Sequence, residues 1–326
     1  MSTALLQTLS TLLREAFPES DNAARREQLL GALVSVLGEA RQPRALEVSL
    51  LGRCAVRAGG KTIEERDWPT QKSLLLFAFL AARGGRPVPD AVLSGTFWPE
   101  SSEERAKSSL RNALYQVRAT LAGAGDVTLD VQRNRCTRTV TLRTPLATDV
   151  EAFETGVSEA AKLFAEGPVA AQERLRSALS LYRGEFLEGF EDDWILARRA
   201  QLADLHLQAL HLAARCHLAL GEAGAAEQVS RDAITRDDLR EDLHADLIEA
   251  LAEQGRRGEA LRHYREVVAH FEAEVGTVPS TLHDIYDVLL AEGGCQAPSI
   301  AQSGALLSRK RPAPWRLARP PVAAAS

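Results

Sequence analysis

The stretch Trp98–Leu121, WPESSEERAKSSLRNALYQVRATL, decides the fold. Pro99 stops the helix before it, because proline has no N–H to donate and its ring crowds the preceding turn. Ser101 and Glu104 then form an S-x-x-E capping box that predicts where the next helix starts. Advancing about 100° per residue from Leu110 gathers Ala106, Leu114, Val117 and Leu121 into one stripe. Arg105, Ser108, Arg111, Asn112, Tyr115 and Arg118 belong to the polar face, so one side packs and the other meets solvent. Arginine matches O6 and N7 of guanine and asparagine matches N6 and N7 of adenine, which is the chemistry of major-groove reading. Lys107 lies nearer the apolar stripe, within reach of a phosphate. An ordinary solvated helix carries the same residue types, so the surroundings must choose.

Upstream, 46–51, 53–57 and 61–64 read as three short strands, the last two joined by the turn Ala58-Gly59-Gly60. A helix follows over 69–83, rich in Leu and Phe and ended by Gly84-Gly85, and a short one over 90–97. Downstream, 127–131 and 136–142 flank the turn Gln132-Arg133-Asn134-Arg135, predicting a β-hairpin with arginines at its tip and Arg138 in its second strand. A small sheet, three helices and a terminal hairpin make a winged helix.

These residues resemble the Streptomyces antibiotic regulatory protein (SARP) family, bacterial activators with an OmpR-like winged helix. The resemblance rests on Leu50-Leu51-Gly52, Trp68 with Lys72 and Leu75, Arg86-Pro87-Val88, Leu93, Phe97-Trp98-Pro99, the run Leu110–Arg118, and Thr148-Asp149-Val150-Glu151-Ala152-Phe153. Pro89, where a capping Ser or Thr is usual, and Gly95 depart from the pattern and are expected to weaken the short second helix.

The second half is a different kind of object. Aligned at an offset of 34, residues 210–234 and 244–268 pair Gly221 with Gly255, Gly224 with Gly258, Ala226 with Ala260 and Arg231 with Arg265. That period is the mark of tetratricopeptide-like helix pairs, whose stacking builds a concave binding face. Glycine and alanine are expected where the helices of a pair approach most closely, with Leu218, Leu220, Leu247, Ile248, Leu251, Leu261, Tyr264 and Val267 filling the core. This half is similar to the bacterial transcriptional activator domain of SARP-type proteins, through the run Leu181–Leu187, Gly189-Phe190, Asp193-Trp194, Arg198-Arg199, Glu259-Ala260, Tyr264 and Glu274-Val275-Gly276. Asp237-Asp238 stands where the family commonly has Asp-Pro, which predicts a looser turn.

The expected fold class is therefore mainly α. A helical extension (1–44) precedes a winged helix-turn-helix domain of α+β type (45–146), then an all-α tetratricopeptide-like repeat domain (147–292). A disordered, basic tail rich in Pro and Ala ends the chain (293–326). The 326 residues carry a net charge of −5, which hides a split. Residues 46–145 hold 15 Lys plus Arg against 10 Asp plus Glu, or +5, and residues 149–292 hold 14 against 29, or −15. The basic half gains affinity for DNA by releasing counterions, whereas the acidic half suits protein partners. Leucines at helical spacing in 1–41 need a partner surface, which is the winged helix, the repeats or a second copy.

No apolar run approaches the length of a membrane span, no leader pattern is present, and a cytoplasmic location is the expectation. Cys54, Cys136, Cys216 and Cys295 are scattered and read as reduced thiols. His206, His211 and His217 are spaced five and six apart and read as packing or surface, so neither a metal nor a cofactor is expected. The chain has none of the phosphate-loop, dinucleotide, nucleophile-elbow or H-E-x-x-H motifs, which argues against an enzyme.

The expected function is a transcriptional activator that binds double-stranded promoter DNA. Arg111, Asn112, Tyr115 and Arg118 are expected in the groove with Ser108 and Arg105 beside them, Lys107 at phosphate, and Arg133, Arg135 and Arg138 at the backbone or adjacent minor groove. The resemblance further implies binding to direct repeats as head-to-tail pairs, a homodimer on DNA, and contact with RNA polymerase holoenzyme including its sigma subunit. A protein adaptor that never enters a groove, and a sensor for a small ligand, remain open on the residues alone.

Overall fold

Alternating burial sets the first sheet: Leu46 and Val48 point inward while Glu47 meets solvent. In the computed structural model, which describes residues 46–291 apart from 59, 123–128 and 134–137, β1 (Leu46–Ser49) pairs antiparallel with β2 (Ala55–Ala58), and β2 with β3 (Lys61–Glu64). The chain forms two units, one of residues 46–49 and 54–148 and the other of 50–53 and 149–291. The expected helical extension and tail lie outside the described residues.

In the winged-helix unit, α1 (Gln71–Ala82) begins at Thr70, whose side chain accepts from the Ser73 N–H, and ends at Gly84 and Gly85, both with positive φ. Its Leu74–Ala81 run is buried all round, as its composition requires. α2 (Asp90–Phe97) forms despite Pro89 and Gly95: Pro89 takes the capping position without a side-chain bond, and buried Leu93 and Phe97 hold the helix from below. Phe97 meets Phe79 edge to face at 5.7 Å. α3 (Glu103–Ala122) starts later than the Ser101–Glu104 box predicts. The Ala106 N–H donates to the Ser102 carbonyl (2.9 Å), so Ser102 is the capping residue, and Glu103 and Glu104 both fall in the first turn.

The wing differs as well. β5 (Leu129–Arg133) and β6 (Arg138–Leu142) pair in a register that sets Arg133 opposite Arg138, so Gln132 and Arg133, expected in the turn, belong to the strand, and the rest of the expected turn lies outside the described residues. The sequence reading missed β4 (Val88–Pro89), which pairs with β6 through Val88 and Val140 and completes a sheet of order β4-β6-β5. β7 (Leu146–Thr148) runs parallel to β1 and closes the other sheet in the order β3-β2-β1-β7.

The helical unit comprises α4 (Asp149–Glu166), α5 (Pro168–Leu179), α6 (Asp193–Ala219), α7 (Ala223–Ile234), α8 (Glu241–Glu253), α9 (Arg257–Glu274) and α10 (Ser280–Ala291). The 34-residue period is written in its hydrogen bonds. Gly221 N–H donates to Leu218 and Glu222 N–H to His217; the same pair recurs as Gly255 to Ala252 and Arg256 to Leu251. Gly221 and Gly255 share a φ of 74° and close their helices in the left-handed conformation. The expectation that these glycines mark close helix approach is corrected: a Cβ on Gly221, Gly224, Gly255 or Gly258 would meet nothing within 4 Å. The close approach belongs to Gly156 of α4, where a Cβ would lie 2.8 Å from that of Ala178, and to buried Ala226 and Ala260. The Asp237-Asp238 turn is pinned rather than loose. Leu239 N–H donates to the Asp237 carboxylate, His244 Nε2 bonds the Asp238 carbonyl, and His270 lies 3.2 Å from the Asp238 carboxylate.

Candidate nucleic-acid interface

One face of α3 is sealed and the other open. Ala106, Leu110, Ala113, Leu114, Val117 and Leu121 are buried, while Arg105, Lys107, Ser108, Arg111, Asn112, Tyr115 and Arg118 are exposed. Tyr115, at 69 % relative exposure, is the most open of the large hydrophobic side chains among the described residues. Tyrosine has a large apolar ring that is ordinarily at least half buried, so this placement leaves both ring and hydroxyl available. Gln116, at the edge of the face, accepts a 2.7 Å hydrogen bond from Thr70 at the start of α1 and fixes the rotation of α3 against that helix.

The electrostatics are uneven along the helix. Lys107 pairs with Glu103 one turn earlier, and this hydrogen bond holds the Glu103 carboxyl below its ordinary value. The pair neutralises an acid that would otherwise oppose an approaching phosphate, and it occupies Lys107. Arg105 and Arg111 carry no ion pair among the described residues.

In the wing, Arg138 is half-buried, with Nε 3.2 Å from the Asp90 carboxylate at the start of α2. It thus ties the wing to α2. Arg133 sits opposite it at the last rung of the ladder, and Arg135 lies outside the described residues. The structure therefore gathers Arg105, Ser108, Arg111, Asn112, Tyr115 and Arg118 on one helix face and places Arg138 in the wing's own framework.

The helical unit holds a charged cluster that the sequence reading left as packing. His211 Nδ1 of α6 lies 2.5 Å from the carboxylate of Asp246 of α8, which is only 2 % exposed, and Arg215 pairs with both Asp246 and Glu249. Burial lowers the His211 pKa and the Asp246 charge raises it, and the net direction is upward. The repeat offset of 34 already set Arg215 against Glu249, so opposite charges at the repeat period were the available signal. His206 stacks on Tyr182 with ring centroids 4.0 Å apart, and burial lowers its pKa to about 4. Cys216 is buried, which pushes its thiol up to about 11 and makes it inert. Among the described residues, no group of three or more His, Cys, Asp or Glu is placed to hold a metal, and no helix is long and apolar enough to cross a membrane.

Comparison with known proteins bears on both units. Residues 148–286 match the bacterial transcriptional activator domain. The regulatory protein DnrI of Streptomyces peucetius is 27% identical over 265 residues, covering 76% of this chain and 94% of that protein. The regulatory protein AfsR of Streptomyces coelicolor is 29% identical over 244 residues, which span 74% of this chain but only 24% of that much longer protein. Among solved structures, EmbR of Mycobacterium tuberculosis, determined in complex with a low-affinity phosphopeptide, superposes with a TM-score of 0.67 at 23% identity. The match covers 82% of this chain and 69% of EmbR, and it shows a shared fold. A winged-helix unit thus precedes a match to the bacterial transcriptional activator domain, and the chain is similar over about three quarters of its length to regulatory proteins of Streptomyces.

Proposed function

We propose that this chain is a sequence-specific transcriptional activator whose winged helix binds double-stranded promoter DNA at direct repeats. The reading is carried by one observation: Arg105, Ser108, Arg111, Asn112, Tyr115 and Arg118 share the solvent face of a helix whose opposite face is buried. α3 spans 20 residues, about 30 Å in length, and an α-helix about 10–12 Å across fits a B-form major groove about 12 Å wide. Arg111 and Asn112 lie mid-helix, where a guanidinium grips guanine O6 and N7 and a carboxamide grips adenine N6 and N7. Tyr115 packs its ring on a thymine methyl or donates its hydroxyl to phosphate, and Arg105 and Arg118 flank the reading pair. Arg133 and Arg135 of the wing reach the sugar–phosphate backbone or the neighbouring minor groove. Arg138 is committed to Asp90 and supports the wing, and Lys107, shared with Glu103, contributes less to phosphate binding.

The helical unit, net −15 over 149–292, is repelled by DNA and presents its surface to protein. In this reading it meets RNA polymerase with its sigma subunit, or a second copy of the chain on the adjoining repeat. The regulatory character of the relatives supports the assignment and an absence of enzymatic chemistry. Footprinting of the full chain on genomic fragments tests it. The expected result is protection of two repeats in the same orientation, spaced so that two copies lie on one side of the duplex. Uniform weak binding without a footprint overturns it and favours a protein adaptor.

A further inference from the structure

Gln116 occupies one margin of the open face of α3. At about 100° per residue it falls roughly 40° beyond Asn112 and about 20° beyond Arg105, with Arg118 roughly 160° away on the opposite margin. Asn112 and Arg105 are exposed, whereas Gln116 is half-buried and bonded to the start of α1.

The two prongs of its carboxamide are used differently. The oxygen accepts the Thr70 hydroxyl at 2.7 Å, a length characteristic of O–H···O rather than N–H···O bonds. That hydroxyl lies nearer to Gln116 than to the Ser73 hydroxyl oxygen, which is 3.1 Å away. Thr70 is itself fixed, because its hydroxyl oxygen accepts the Ser73 N–H at 3.2 Å and its carbonyl accepts the Ser73 hydroxyl at 2.7 Å. With the oxygen turned to Thr70, the NH2 prong is turned away from it and makes no hydrogen bond among the described residues. A glutamine free to rotate must be ordered when it binds, whereas Gln116 is ordered in the fold.

We infer that Gln116 is a phosphate contact aimed by Thr70: its carboxamide oxygen stays on Thr70 while its NH2 donates to a phosphate oxygen of the strand bordering that margin of α3. A helix seated in the major groove turns its centre to the base edges and its margins to the sugar–phosphate walls, and amide side chains are among the ordinary donors to those walls. Thr70 is a positioning residue in this arrangement, since its hydroxyl is used inside the fold. The inference rests on the reading of α3 as the groove helix and adds to it an uncharged contact on the margin opposite Arg118.

Anisotropy titrations of the full chain on the footprinted site, with single phosphates replaced one at a time by neutral methylphosphonate, test it. Gln116→Met keeps the length of the side chain and removes both polar atoms. It should bind about tenfold more weakly on the footprinted and the scrambled sequence alike, with its urea midpoint and salt slope unchanged because no charge is lost. Replacement of one particular phosphate should weaken the wild type and leave Gln116→Met indifferent. Thr70→Val should blunt the effect of that same phosphate and Thr70→Ser restore it. Gln116→Ala gives the same readout should the Met variant misfold. Equal sensitivity of wild type and variant at every phosphate, or a loss confined to the footprinted sequence, overturns the contact while the DNA reading stands. A full effect of that phosphate in Thr70→Val overturns the aiming role of Thr70. A chain that leaves no footprint overturns the DNA reading and the contact with it.

Discussion

α3 of the winged-helix unit and α6 of the helical unit are both long amphipathic helices, yet they use their charges in opposite ways. Along α6, Arg198 reaches Glu154, Arg199 grips backbone carbonyls, and His211 and Arg215 close on Asp246 and Glu249, so cations are spent on the unit's own framework. Along α3, Arg105, Arg111, Asn112 and Tyr115 are left facing water. A charge paired inside the fold contributes to which fold forms, whereas a charge presented outward is available to a partner. The difference teaches where function sits: substitutions in the first group should change stability, and those in the second should change binding.

The largest effect that sharpens this contrast is expected at Asp246. Asp246→Ala leaves His211 half-buried without its carboxylate and Arg215 with Glu249 alone, and breaking such a buried pair costs about 3–5 kcal/mol. Urea unfolding should report that loss. A change below about 1 kcal/mol would mean that the cluster is solvated and the contrast false. Gly156→Val comes next. Its side chain collides with Ala178, and overpacking of this kind costs about 1–3 kcal/mol, visible as a lower melting temperature. Gly221→Ala and Gly255→Ala, each forced to a φ of 74°, should each cost about 1–2 kcal/mol and match one another, since the two turns are copies. Unequal losses would break the equivalence of the repeats.

The smallest effect is pH dependence. Burial holds His206 and His263 down to about 4, so the folded chain takes up their protons later than the unfolded chain does. Their contribution is complete above about 6.5 and disappears as pH falls toward 4. His211 has the opposite sign: its raised pKa contributes stability in acid that is lost as pH rises through the raised value. His206→Phe preserves a ring on Tyr182 and should flatten the acid slope of stability. An unchanged slope would show that the His206 ring titrates normally in the fold.

Much of this was legible in the residues because helical spacing and repeat period are strong signals. The buried stripe of α3 follows from Leu110, Leu114, Val117 and Leu121 alone, and the repeat from Gly221 and Gly255. What was not legible depends on contacts distant in sequence. β4 is only two residues long and exists because Val140 is across from Val88. β1 stops at Ser49 because Asp149, 99 residues after Leu50, takes the N–H groups that would have continued the strand. The Arg138–Asp90 pair was not legible either, since no local pattern joins those two residues. Gln132 and Arg133 extend β5 because pairing with β6, rather than turn composition, sets where the strand ends.

The central claim is that the open face of α3 reads bases, and Arg111 tests it most directly. Binding of the wild-type chain and of Arg111→Ala should be titrated by fluorescence anisotropy on a footprinted site and on its scrambled sequence, across a range of salt. The account predicts that Arg111→Ala keeps its folding stability within about 0.5 kcal/mol. It should lose about 1–3 kcal/mol on the footprinted site and much less on the scrambled one. The salt slope, about 0.9 per phosphate contact, should stay unchanged. An equal loss on both sequences, with the slope reduced by about one contact, would move Arg111 to the phosphate backbone and contradict the claim.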